Sequence, residues 1–99
     1  MSKILFQINY EVHSDKRNEY LSAVTELKDY LKSAKNQDYM VVEDMNKENN
    51  FTEIYVCENE EQFEAIDDGS DDKVFEITTN ILKNYVMNGK TKYSTSKEV

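Results

Sequence analysis

Three patterns in the sequence predict an α+β fold in which an antiparallel sheet carries its helices on one face. The chain opens on strict alternation, with Ile4, Phe6, Ile8, Tyr10 and Val12 against Leu5, Gln7, Asn9 and Glu11, the period of a strand. Tyr20, Val24, Leu27, Leu31 and Ala34 then recur at steps of four and three, the period of an amphipathic helix. The order of segments, strand, helix, strand, strand, two helices and strand, suits one sheet covered on one side.

The first strand is expected over about 3–12, ending at His13-Ser14-Asp15, where Ser14 or Asp15 can cap the helix that follows. That helix runs over about 15–34, with Lys16, Arg17, Glu26, Lys28 and Lys32 on its wet side. The polar link Lys35-Asn36-Gln37-Asp38 leads to a second strand over 39–44, whose Val41 and Val42 favour extended backbone. A polar loop over 46–50 joins it to a third strand over 51–57, as in a hairpin. Ile54 and Val56 are assigned to the helix-facing side of this strand, and Phe51, Glu53, Tyr55 and Cys57 to the other.

Asn59 with Gln62 three residues on reads as a capping box that opens a short helix through Phe63 and Ile66, closed at Gly69. Ser70, Asp71 and Asp72 start another helix. Its apolar face takes in Val74, Phe75, Ile77, Ile81, Leu82, Tyr85 and Val86, with Gly89 closing it. Residues 91–96 alternate as a fourth strand.

Ninety-nine residues suit a single domain spanning 1–99, and so small a core gains from self-association. The far face of the sheet, with Leu5, Phe51, Tyr55 and Tyr39, is too apolar to stand in water, so a second copy is its expected cover. The net charge of −8 is concentrated in residues 43–76, where thirteen acids meet only Lys47 and Lys73. Such a balance argues against nucleic-acid and membrane-surface partners. It reads as a solvated acidic face, with a docking patch for a basic partner as the alternative. The amino-terminal stretch has no long apolar run, so a cytoplasmic location is expected. Cys57 is the single cysteine, which leaves no intramolecular disulfide or multi-cysteine metal site.

Two stretches carry a resemblance. Ile8-Asn9-Tyr10-Glu11-Val12 followed by Asp15-Lys16-Arg17-Asn18-Glu19-Tyr20, and Phe51 through Phe63, resemble the dimeric α+β barrel superfamily, in particular its antibiotic-biosynthesis-monooxygenase-like (ABM-like) domains. The resemblance covers about residues 4–96. It implies a ferredoxin-like four-stranded antiparallel sheet and a homodimer, with a small organic ligand held in the barrel or between sheet and helices. In its enzymatic form it implies a monooxygenase that works without a bound cofactor. Many members carry a Trp near the end of the central strand, where this chain has Cys57, and a His in the segment that here reads 66–72. Haem-degrading relatives resemble this chain at Asn9, yet they depend on a Trp and a His that are missing here, His13 lying at the other end.

The candidate site is therefore placed on the far face of the sheet. Glu11 and Glu53 are its candidate catalytic bases, and Gln7, Asn9, Tyr55 and Cys57 its candidate ligand-binding residues. Two carboxylates beside an amide and a phenol in a partly apolar chamber suit proton abstraction from an acidic organic substrate. The competing reading makes Glu11 and Glu53 rim or interface residues paired with Lys92, Lys97 or Arg17. Cys57 reads as a buried inert thiol rather than a nucleophile. No metal site is expected: Asp44 to Glu48 starts like a calcium loop but has Asn49 where glycine is needed, and Asp71 and Asp72 serve a helix start.

Overall fold

The computed structural model describes residues 2–68 and 71–99. Strands β1 (Ile4–Val12), β2 (Asp38–Glu43), β3 (Asn50–Cys57) and β4 (Val86–Lys97) form one sheet in the order β2-β3-β1-β4. Every neighbouring pair is antiparallel. Helices α1 (Arg17–Lys35), α2 (Glu60–Asp67) and α3 (Asp72–Asn84) complete a ferredoxin-like α+β fold. Among the described residues no helix is long and apolar enough to cross a membrane.

Helix α1 lays Tyr20, Val24, Leu27 and Leu31 on the sheet, all buried, as its periodicity predicts. Its start differs from expectation. Ser14–Lys16 form a 3-10 turn, and α1 begins after Lys16 with no side-chain cap. Arg17 anchors this end instead, with Nη1 and Nη2 donating to the two carboxylate oxygens of Glu43 at 2.6 and 2.8 Å. The far end closes at Asn36 in the left-handed region (φ 49°), and the Gln37 amide reaches back to the Leu31 carbonyl at 3.0 Å. This Schellman-type turn swings Gln37 inward.

Asn59 caps α2 by accepting from the Gln62 amide at 2.9 Å, and Gln62 Oε1 accepts from the Glu58 amide at 2.7 Å. Asp71 caps α3 by accepting from the Val74 amide at 2.9 Å. The expected roles of Gly69 and Ser70 lie outside the described residues. Gly89 does not close α3, which ends at Asn84. Val86 already pairs with Val12 in the sheet, and the register slips before Thr91 pairs with Tyr10. Asn88 and Gly89, at φ 58° and 60°, turn the extra residues of this bulge.

The largest correction concerns β3. Register places Tyr55 opposite Phe6, Glu53 opposite Ile8 and Phe51 opposite Tyr10. Directly paired residues share a face, so these three and Cys57 point toward the helices, at 3% exposure or less. Tyr39, paired with Tyr55, turns inward with them. Ile54 and Val56 take the far face with Gln7 and Leu5. The sequence pattern gives the wrong phase because local rules send a glutamate to the wet side.

Candidate functional site

Correct phasing divides the expected site between the two sides of the sheet. Glu53, Tyr55 and Cys57 lie under the helices, whereas Gln7, Asn9 and Glu11 lie on the far face with Ile54 and Thr52. Glu11 pairs with Lys47 at 3.4 Å, an exposed contact, rather than with Lys92, Lys97 or Arg17. The Asn9 amide nitrogen is occupied within the sheet, lying 2.9 Å from Asn50 Oδ1, 3.1 Å from the Phe51 carbonyl and 3.0 Å from Thr52 Oγ1. Asn9 therefore ties β1 to β3. The far face brings together Asn9 and Gln7 but neither the phenol nor the second carboxylate.

Under the helices, Glu53 forms the centre of a polar cluster within the apolar core. Tyr10 donates to its Oε2 at 2.6 Å and Tyr39 to its Oε1 at 2.7 Å. Tyr20 Oη lies 2.8 Å from Tyr10 Oη. Since a carboxylate only accepts, the Tyr10 proton is directed at Glu53 and Tyr20 donates to Tyr10. Burial pushes the Glu53 carboxyl above its ordinary 4.5, and the two phenol hydrogen bonds pull it back. The phenols respond in kind. Burial raises Tyr10 and Tyr39, with the nearby Glu53 charge as the next cause, so both keep their protons. Tyr10, Tyr20 and Tyr39 belong to this candidate site and are not singled out by the sequence pattern. The available signal is the placement of Tyr10 on the helix-facing side of the first strand, which pairing with β3 sets diagonally across from Glu53.

Glu53 also borders a hollow of about 150 Å³ between the sheet and α2 and α3, walled by Phe6, Ile8, Tyr55, Val74, Leu82 and Tyr93 among others. Phe6 stacks on Tyr93 with ring centroids 6.0 Å apart and planes 15° apart, and meets Phe63 edge-on at 5.6 Å. A second hollow of about 190 Å³ lies against Leu31, Gln37, Ala65 and Ile66. The two have Tyr55, Ile66 and Val74 in common. An apolar cavity of ~150 Å³ holds about one benzene ring, so each hollow has room for about one ring. At the rim, Lys35 Nζ lies 3.0 Å from Asp71 Oδ2, and Tyr30 donates to the same oxygen at 2.8 Å. The helix-cap bond from Val74, then Lys35 and Tyr30, hold the Asp71 carboxyl well below its usual range.

The Cys57 thiol, wholly buried, is pushed up from 9.0 by burial and drawn back by Gln37 beside it. A raised thiol is a poor nucleophile at neutral pH, in keeping with the inert role expected of it. In the loop after β2, Asp44 Oδ1 accepts from the Asn46 amide at 2.7 Å, an Asx turn.

No family model matches this chain, and no curated protein matches it. Solved structures do. A conserved protein of Methanosarcina mazei Go1 superposes with a TM-score of 0.84 at 15% identity, covering 100% of this chain and 95% of that one. A candidate antibiotic biosynthesis monooxygenase of Caulobacter crescentus CB15 gives 0.84 at 13% identity, over 99% and 91%. A mutant form of SnoaB, a cofactor-independent oxygenase of Streptomyces nogalater, gives 0.76 at 12% identity, over 95% and 90%. Identities this low speak for the fold alone, and on that ground the chain has the α+β fold of the antibiotic-biosynthesis-monooxygenase-like domains.

Proposed function

We propose that the protein binds a small aromatic organic molecule in the cleft between the sheet and α2 and α3, and that it is a cofactor-independent monooxygenase with Glu53 as its base. The observation that carries this reading is a carboxylate at 3% exposure set in the wall of an apolar hollow and held by two phenols. A protein does not ordinarily bury an acid without a partner cation. Here two neutral donors keep it ionisable while burial raises its proton affinity, the condition for a general base.

The chemistry follows from that placement. Glu53 takes a proton from an acidic ring CH₂ or phenol of the substrate, and the resulting anion, stabilised by its aromatic ring, gives one electron to O₂. Recombination of the radical pair forms a C–O bond. Return of the Glu53 proton to the peroxide gives the hydroperoxide; loss of the second C–H proton as the O–O bond breaks then releases water and leaves a carbonyl where the CH₂ stood, one O₂ consumed per CH₂ oxidised. Tyr10 and Tyr39 hold the carboxylate in place. A second copy packed against the far face, where Leu5, Met40, Val42, Ile54 and Val56 make an apolar strip, belongs to the same proposal. Met40 and Val42 are 47% and 44% exposed in the single chain.

The test is oxygen uptake with a panel of enolisable aryl ketones and hydroxynaphthalenes. Turnover above the uncatalysed rate should fall at least ~100-fold in Glu53→Gln, while binding of the same compounds persists. Equal turnover in the variant would rule out the base, and no turnover or binding with any member would remove the cleft reading.

A further inference from the structure

We infer that Gln37 reads the bound molecule, its side-chain oxygen taking a hydrogen bond from a neutral hydroxyl or N–H at the end of the ligand remote from Glu53. This deepens the cleft reading above and rests on it. Gln37 is 2% exposed. Its Nε2 donates to the Asp38 carbonyl at 2.8 Å and the Val56 carbonyl at 2.9 Å, so both amide protons are engaged. The amide cannot be turned over, because Oε1 would then face two carbonyl oxygens. Its orientation is fixed, and Oε1 is buried without a partner.

Buried acceptors are nearly always satisfied, and an orphan asks for an occupant. The hollow that Gln37 lines is walled by Leu31, Ala65, Ile66 and Val74, which offer no donor. The donors that do border it, on Tyr55, Gln62 and Lys35, make no bond to Oε1. The Cys57 thiol beside it is drawn down by a hydrogen bond from Gln37, the sense of an acceptor sulfur, and so leaves Oε1 without a partner. An uncharged acceptor in an apolar wall selects a neutral donor. It repels a carboxylate and gives an ammonium too little to offset its desolvation.

Gln37 lines one hollow and Glu53 the other, and Tyr55 borders both. The chemical class that meets both is a flat two-ring molecule with an acidic hydrogen at one end and a neutral hydroxyl or N–H donor at the other.

The experiment compares a naphthalenediol whose hydroxyls sit at opposite ends of the two rings with its monomethyl ether. The ether keeps one hydroxyl for Glu53 and offers only an acceptor to the other end. The diol should bind about tenfold tighter or more, and the preference should vanish in Gln37→Met. In the wild-type protein the Gln37 Cδ resonance should move on adding diol but not ether, a readout that does not depend on the variant folding. Equal binding of the two probes with Gln37 Cδ unmoved, while Glu53 and Tyr55 resonances shift, would overturn the assignment and leave the cleft standing. That is the result if Oε1 keeps a water. Failure of both probes to bind at millimolar concentration would overturn both readings.

Discussion

Tyr39→Phe isolates the interaction that makes a buried glutamate tolerable in this core. The substitution removes one oxygen and opens no large void, but it leaves Glu53 Oε1 without the donor now 2.7 Å away. A hydrogen bond to a charged group is worth about 1.5–3 kcal/mol and one between neutral groups about 0.5–1.5 kcal/mol. The loss should therefore depend on the protonation of Glu53. The folded carboxyl already sits above its ordinary 4.5, with the Tyr39 bond among the causes that lower it, so the variant raises it further. The sign follows from linkage. Between 4.5 and the folded value the native state binds more protons than the unfolded one, and stability from this group falls as pH rises through that window. Tyr39→Phe widens the window upward. Urea melts at two pH values on either side of the Glu53 midpoint, itself measured by carbon NMR of Cδ, should show the larger loss on the alkaline side. An equal loss at both, with the Glu53 midpoint unmoved, would refute a charged acceptor at the centre of the tyrosine cluster.

Three further outcomes are expected. Arg17, then the Asn49 amide, hold the Glu43 carboxyl down at about 2 against an ordinary 4.5, so the stability it contributes is present above 4.5 and lost as pH falls toward 2. Arg17→Gln should flatten that part of an acid-unfolding profile, and an unchanged profile would remove the clamp. Asn9→Leu should loosen the β1–β3 pairing, read as faster amide exchange at Phe51 and Glu53, and leave ligand binding in the cleft untouched; loss of binding with normal exchange would return the site to the far face. Charging the apolar strip with Met40→Lys and Val42→Lys should turn a dimer into a monomer in sedimentation velocity, whereas a wild-type protein already monomeric at micromolar concentration would contradict the proposed second copy.

The fold is legible because its elements carry redundant signals. Helix α1 shows its period through Tyr20, Val24, Leu27 and Leu31, and β1 shows its own through Ile4 to Val12, so each survives an error of a residue or two at its ends. The caps at Asn59 and Asp71 can be read because the capping oxygen and the amide it satisfies lie within three residues in sequence. The turn at Gly89 cannot. What stops α3 is the pairing of Val86 with Val12, a contact across the whole chain that overrides a local glycine signal.

The site is legible in its residue types but not in its grouping, for a physical reason. Both sides of β3 offer apolar residues, Phe51, Tyr55 and Cys57 against Ile54 and Val56, so its phase rests on Glu53. A single-strand reading must send a glutamate outward, because burying an unpartnered carboxylate costs more than any propensity can offset. The partners that reverse the sign are Tyr10, 43 positions away, and Tyr39, 14 away, and neither is visible in the pattern of β3. Gln37 is hidden in the same manner: as a polar residue in a polar link it reads as solvent-exposed, and its burial depends on Asn36 taking the left-handed turn and on the Val56 carbonyl accepting its amide. Both residues are polar side chains whose inward placement depends on distant hydrogen-bond partners. Where local rules fail by burying a polar side chain, function is the first explanation to test, and two such failures, Gln37 and Glu53, line hollows that share Tyr55 as a wall.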